Sequence, residues 1–106
     1  MKTLIALTLV CGLSNANAGF MSGNKLLQLH VNDTATAIGY VMGVHDAGDG
    51  KTFCTPDAAS AGQLTDVVIQ AIQRSPNVRH MSAATLIAAA LYQEWPCKAT
   101  KSKDLI

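Results

Sequence analysis

The chain has 106 residues and nearly balanced charge, with 8 Lys and Arg against 7 Asp and Glu. The basic residues do not cluster into a stripe, which argues against nucleic acid as a partner. The length allows one small domain, for which a hydrophobic core alone gives only marginal stability.

The N-terminal segment has the three parts of a secretory signal peptide. Lys2 supplies a positive charge, the apolar run at residues 4–13 follows it, and "ANA" at residues 16–18 is a small-x-small cleavage site. The apolar run is about half as long as a bilayer-spanning helix requires. We therefore predict a signal peptide at residues 1–18 and no membrane anchor. Its removal also takes away Cys11.

Two helices are predicted after the signal peptide. The first covers residues 23–31, and the pair Asn32-Asp33 ends it. The second covers residues 34–47, where apolar residues recur at i, i+3, i+4 and i+7. Gly39 and Gly43 share one face of this helix, and each costs about 1 kcal/mol relative to alanine. We therefore expect another helix to approach that face closely; a locally weak helix is the alternative.

The segment "DAGDGKTF" that follows is predicted to be a solvated turn. It superficially resembles a calcium loop, but Gly48 and Gly50 stand where an EF-hand has ligands, and Asp57 stands in place of the final glutamate. The chain also contains no His-x-x-x-His or Cys-x-x-Cys spacing. We therefore predict no metal and no cofactor.

Two more helices are predicted in the second half of the chain. In the third helix, Ser60 and Gln63 form a capping box and "SP" at residues 75–76 stops the helix. The fourth begins with Ser82 as N-cap and ends at "EWPC". The predicted buried positions are Leu64, Val67, Val68, Ala71 and Ile72 on the third helix and Leu86, Ile87, Ala90 and Leu91 on the fourth. Strand-like alternation is absent, so we predict an all-α fold, a small bundle of four to five helices.

Two cysteines remain once the signal peptide is removed, and we predict that Cys54 and Cys97 form one disulfide. Thiols of exported proteins oxidise, and two cysteines most simply pair with each other. A nucleophilic cysteine is the alternative, but neither cysteine lies in a nucleophile signature. The chain also has no phosphate loop and no G-x-S-x-G motif. We therefore do not expect an enzyme.

Four segments taken together resemble the Rap/Tai immunity proteins: "GNKLLQL", "GYVMGVHDA", "FCTPDAASAGQLTDVV" and "SPNVRHMSAATLIAAALYQEWPC". Members of that family protect bacteria from cell-wall amidases delivered by type VI secretion. The resemblance implies a helical immunity domain over residues 19–97, located in the periplasm and often homodimeric, which binds the amidase and occludes its active-site cleft. We expect residues 98–106 to be a flexible basic tail. Cys54 and Cys97 stand at cysteine positions of the family, whereas His30 and Ala37 replace two others.

Two loops are candidates for the surface that binds the effector. Residues 74–81 offer polar and arginine-rich side chains of the type that interfaces favour: Arg74, Asn77, Arg79 and His80. The alternative is an ordinary helix connection in which Arg79 and His80 bind helix carbonyls. Residues 45–53 form an acidic loop, which we expect to be flexible, with His45, Asp46 and Asp49 as candidates.

Other functions compatible with this chain are a periplasmic acid-stress chaperone and an orphan prophage binding protein. Acid-stress chaperones are also small, helical and held by one disulfide, and they need many groups that titrate near the stress pH. Three histidines and seven acidic residues are a modest number for that task. An orphan relative would share the fold without a toxin to neutralise.

Overall fold

The computed structural model describes residues 20–98, which form four α-helices and one short 3₁₀ helix. The helices are α1 (Gly23–Asn32), α2 (Thr34–Gly48), α3 (Ala61–Gln73) and α4 (Ala83–Glu94), with the 3₁₀ helix Pro76–Val78 between the last two. The predicted all-α bundle is therefore confirmed. The predicted signal peptide and most of the predicted basic tail, residues 99–106, lie outside the described residues. Among the described helices, none is long and apolar enough to cross a bilayer.

A single residue, Asp33, joins α1 to α2. Its N–H donates to the Leu29 carbonyl oxygen at 2.7 Å, which closes the last turn of α1. Its carboxylate accepts from the Thr36 N–H at 3.4 Å and from the Thr36 hydroxyl at 2.7 Å, which begins α2. Asp33 thus satisfies backbone groups that each helix end would otherwise leave unpaired. The predicted break at Asn32-Asp33 is confirmed.

One apolar core lies between the helices, and every helix contributes to it. Its buried members are Leu26 from α1, Ala37 and Val41 from α2, Phe53 from the α2–α3 connection, Leu64, Val68, Ile69 and Ile72 from α3, and Ala83, Ile87, Ala90 and Leu91 from α4. The stripe predicted for α3 is therefore rotated: Ile69 and Thr65 are buried, whereas Val67 and Ala71 are half-buried. The buried face of α3 is therefore centred nearer to Thr65 and Ile69 than the sequence spacing predicted, because the positions of the other helices decide which face is covered.

The expected close approach of a helix to Gly39 and Gly43 is wrong. Both glycines are exposed, and within residues 20–98 no atom of another element lies within 4 Å of the position that a Cβ would occupy at either residue. The helix α2 packs instead through the face that carries Ala37 and Val41. The alternative of a locally weak helix stays a prediction. The close approach occurs instead at Gly23, where a Cβ would lie 2.9 Å from the Arg79 carbonyl oxygen and 2.6 Å from Leu86 Cδ1.

The helix starts that the sequence predicted are in place, although with fewer side-chain bonds. Ser60 Oγ accepts from the Gln63 N–H at 3.1 Å, and it is the N-cap of α3. Within the described residues, the return bond from the Gln63 side chain is absent. Ser82 is the N-cap of α4 but makes no side-chain capping bond. It forms an antiparallel bridge with Ser22 instead.

The bundle is closed at two opposite ends, which we call the disulfide end and the Arg79 end. At the disulfide end, Cys54 and Cys97 are bonded with their Cα atoms 4.8 Å apart, which confirms the predicted pair. The Cys54 N–H also donates to the Trp95 carbonyl oxygen at 2.9 Å. The end of α2 therefore meets the segment before α3 and the end of α4 here.

At the Arg79 end, the start of α1 meets the α3–α4 connection through backbone hydrogen bonds. The Gly23 N–H donates to the Met81 carbonyl at 3.0 Å, and the Asn24 N–H donates to the Arg79 carbonyl at 2.9 Å. In return, the Ala83 N–H donates to the Met21 carbonyl at 2.7 Å. These bonds hold the N-terminus of α1 against the N-terminus of α4.

Candidate functional site

The first candidate loop, at the disulfide end, contains a hydrogen-bonded group of side chains around Thr55. His45 Nε2 lies 2.7 Å from Thr55 Oγ1, and His45 Nδ1 lies 3.0 Å from Asp46 Oδ1. Asp49 Oδ1 accepts from the Thr55 N–H at 3.0 Å and from the Thr55 hydroxyl at 3.1 Å. The sequence-predicted residues His45, Asp46 and Asp49 are therefore brought together, and two of them bind the residue that follows Cys54.

Burial and packing hold this group in place. The His45 side chain is 14% exposed, and its ring stacks on the buried Phe53 ring with the centroids 5.9 Å apart. Gly50 has a positive φ of 84°, which closes the turn between α2 and Phe53. Its N–H donates to the Phe53 carbonyl at 2.7 Å. The loop expected to be flexible is thus a closed, hydrogen-bonded turn over a core residue.

The electrostatics of this turn centre on Asp49. The backbone N–H of Thr55 is the main cause that holds the pKa of Asp49 below its usual value of 3.8, because this bond favours the carboxylate form. The Thr55 hydroxyl and the nearby His45 ring lower the pKa in the same direction, and partial desolvation opposes them.

Thr55, His45 and Asp46 are arranged in the hydroxyl, imidazole and carboxylate order of a hydrolase triad. Their surroundings instead favour a structural role, in which they hold the turn in place. Thr55 Oγ1 is also hydrogen-bonded to Asp49 Oδ1, which competes with the imidazole for the hydroxyl proton. The carboxylate on the other side, Asp46, is 75% exposed, whereas a triad carboxylate is buried. Within residues 20–98, no three His, Cys, Asp or Glu side chains converge as metal ligands would.

The second candidate loop lies at the Arg79 end, and Arg79 itself binds the end of α3. Its Nε donates to the Ile72 carbonyl oxygen at 3.2 Å, and a terminal guanidinium nitrogen donates to the Gln73 carbonyl oxygen at 2.6 Å. The positive charge sits where the carbonyl dipoles of a helix end favour it. The interpretation of this segment as a helix connection in which Arg79 binds carbonyls is confirmed for that residue.

Three other candidates of this loop, Arg74, Asn77 and His80, are exposed. In the described part of the chain, none of the three makes a side-chain hydrogen bond or ion pair. They remain predicted partner-binding residues. The helix α3 separates them from His45 and Asp49, so the structure does not bring the two candidate loops into one site.

A pocket between α3 and α4 opens beside the second loop. Its volume is about 190 Å³, and it is lined by Ala71, Ile72, Ser75, Val78, Leu86, Ala89, Ala90 and Gln93. Ile72 and Ala90 form its buried floor, whereas Ala89 and Gln93 are exposed at its rim. Sequence reasoning missed this pocket because it lies between two helices, and the spacing of residues along either helix does not encode how the two pack together.

Sequence reasoning also missed Thr55. The residue precedes a proline, which favours extended backbone, and it lies six residues after an aspartate that follows a helix. These signals are weak, because the bonds to His45 and Asp49 depend on how the turn closes over Phe53.

Together, the fold and these two ends define a small, all-helical domain closed by one disulfide, with exposed loops and no assembled metal site among its described residues. The sequence matches the family model described as Rap1a immunity proteins over residues 10–97, and the chain therefore belongs to that family. No curated relative matches the chain significantly. Membership of an immunity protein family implies binding to a cognate effector.

Proposed function

We propose that this chain is a periplasmic immunity protein that binds a type VI-secreted peptidoglycan amidase and occludes its active-site cleft. The observation that carries the proposal is family membership over residues 10–97. The closed bundle supports it, because a surface held rigid at both ends loses little conformational entropy on binding.

The exposed loop at the Arg79 end supports this proposal better than the turn at the disulfide end. Arg74, Asn77 and His80 are exposed, and arginine is enriched in protein interfaces. His45 and Asp49 already bind Thr55. A partner that engaged them would have to replace bonds that hold the turn together.

The direct test measures peptidoglycan hydrolysis by a purified type VI-secreted amidase. Increasing amounts of the purified chain should abolish hydrolysis at equimolar concentration, because occlusion is stoichiometric. Hen lysozyme, which cleaves a different bond of the same polymer, is the specificity control and should remain active. Undiminished amidase activity at a tenfold excess of the chain would contradict the proposal.

We further propose export and self-association. Mass spectrometry of the mature protein should show an N-terminus at Gly19, as the predicted cleavage site requires. Size-exclusion chromatography with light scattering should give the mass of a homodimer. A mature protein that still starts at Met1 would contradict the proposed export. A monomeric mass at micromolar concentration would contradict the proposed homodimer.

A further inference from the structure

The pocket between α3 and α4 has a size and a lining that suit the binding of one apolar side chain. Its volume of about 190 Å³ exceeds the roughly 150 Å³ of an apolar cavity that accommodates benzene. Six of its eight lining residues are apolar, and Ser75 and Gln93 supply the polar ones. It therefore has room for the side chain of a leucine or a phenylalanine.

The segment that supplies the pocket lining, residues 71–93, carries two arginines, Arg74 and Arg79, and no Asp or Glu. The nearest carboxylates in the sequence, Asp66 and Glu94, lie just outside this segment. Arg79 is engaged by the carbonyl groups at the end of α3. Arg74 does not line the pocket, but it directly precedes the lining residue Ser75 in the sequence and is exposed. Its side chain makes no hydrogen bond or ion pair within the described residues, which leaves its charge available to a partner beside the pocket.

We propose that this pocket binds an apolar side chain of the effector, presented by a segment that carries a carboxylate facing Arg74. The inference rests on the proposed function, because the occupant is the amidase effector. Binding energy at interfaces concentrates on such an anchor, buried in a pocket and surrounded by a polar rim. The charge complementarity selects an acidic segment over a basic one.

The exposed face of α2 that carries Gly39 and Gly43 lacks both features, the pocket and the arginine. Gly39 and Gly43 lie on a face without charged residues from Thr34 to Val44. Neither the pocket lining nor an arginine extends to that helix. The α2 face therefore provides a control surface for the experiment.

The steric test fills the pocket and measures, by titration calorimetry, the affinity for the secreted amidase that the unaltered chain inhibits. Ala89→Trp places an indole at the exposed rim of the pocket, and we expect binding to weaken at least about tenfold. Ala35→Trp makes the same change at an exposed position of α2 and should leave the affinity unchanged. Circular dichroism and thermal melting confirm that both variants are folded.

The electrostatic test reverses the rim charge. We expect Arg74→Glu to weaken binding about tenfold at low salt, with a smaller effect at 0.5 M NaCl, where screening is strong. Lys51→Glu reverses an exposed charge in the turn at the disulfide end and should have little effect on affinity.

The outcomes separate this inference from the proposed function. If the unaltered chain binds the amidase and the two pocket variants bind equally well, the inference is overturned and the proposed function stands. If the unaltered chain does not bind, both fail. If Ala89→Trp changes the oligomeric mass instead of the amidase affinity, the pocket holds a second copy of this chain, which also overturns the inference.

Discussion

The two ends of the bundle are closed by different kinds of bond. The disulfide end is held by one covalent bond and by side chains that converge on Thr55. The Arg79 end is held mainly by backbone hydrogen bonds between residues 21–24 and residues 79–83. At the disulfide end, substitutions remove stabilising bonds directly. At the Arg79 end, backbone bonds survive most substitutions, so we expect stability to fall only where a side chain binds another helix, as at Arg79, or where no side chain fits, as at Gly23. The candidate binding residues that are free of internal bonds lie at the second end.

The largest effect should come from removing the covalent bond. The two cysteines are 43 residues apart, and the chain-entropy model gives about 4 kcal/mol for a loop of that length. In oxidising buffer, Cys54→Ser/Cys97→Ser should therefore lower Tm by more than about 15 °C. In dithiothreitol, the unaltered chain and the variant should melt together. Equal Tm values in both buffers would show that the bond does not stabilise this end.

At the Arg79 end, the guanidinium should be the most sensitive side chain. Arg79→Ala removes two charge-assisted hydrogen bonds to α3 carbonyls, and we expect a loss of about 2–3 kcal/mol in denaturant unfolding. The neighbouring exposed residue provides the control, and His80→Ala should stay within about 0.5 kcal/mol of the unaltered chain. A neutral Arg79→Ala would mean that the backbone bonds alone hold this end.

A matched pair of glycines tests the close approach at the Arg79 end. Gly23→Ala pushes a methyl group against the Arg79 carbonyl and Leu86, and it should destabilise the domain by about 1–3 kcal/mol. Gly39→Ala adds the same methyl group in open space on α2 and should stabilise it by about 1 kcal/mol. Urea unfolding of both variants measures the difference. Shifts of the same sign would contradict the close approach at Gly23.

The smallest effect is a pH dependence at the disulfide end. Because the fold lowers the pKa of Asp49 below 3.8, its carboxylate contributes stability above that pH and loses it as the pH falls through the lowered pKa. Asp49→Asn should therefore be less stable than the unaltered chain at pH 7. Thermal melting from pH 7 to pH 2 should show the two curves converging at the acid end. A constant Tm difference would exclude the carboxylate as the cause.

Much of the fold was predictable from local signals. The starts of α2 and α3 follow from the side-chain caps Asp33 and Ser60, since capping chemistry acts within three or four residues. Ser82 marks the start of α4 without a side-chain capping bond. The disulfide follows from counting the cysteines that remain if the predicted signal peptide is removed. The packing partners were not predictable in the same way: Gly39 and Gly43 suggested a close contact, but which face of α2 is buried depends on the three other helices.

The candidate site was predicted in part. His45 and Asp49 attract notice as polar residues at the end of a helix, but their common partner Thr55 is set by the closure of the turn over Phe53. The sequence allows two interpretations of Arg79, partner binding and binding of helix carbonyls. The distances to two carbonyl oxygens favour the second. The pocket beside Arg74 depends on how α3 and α4 pack together, which cannot be predicted from a short sequence motif.

Only one residue, Asp33, connects α1 and α2. We therefore expect the fold to tolerate no insertion or deletion at this connection. Surface loops normally absorb an extra residue at little cost. Here an inserted residue would extend one of the helices and turn α2 by about 100° about its axis. Ala37 and Val41 would then swing toward water. Natural relatives of this chain should consequently vary in length at the Gly50 turn or after Cys97 and keep a constant count of residues across this joint.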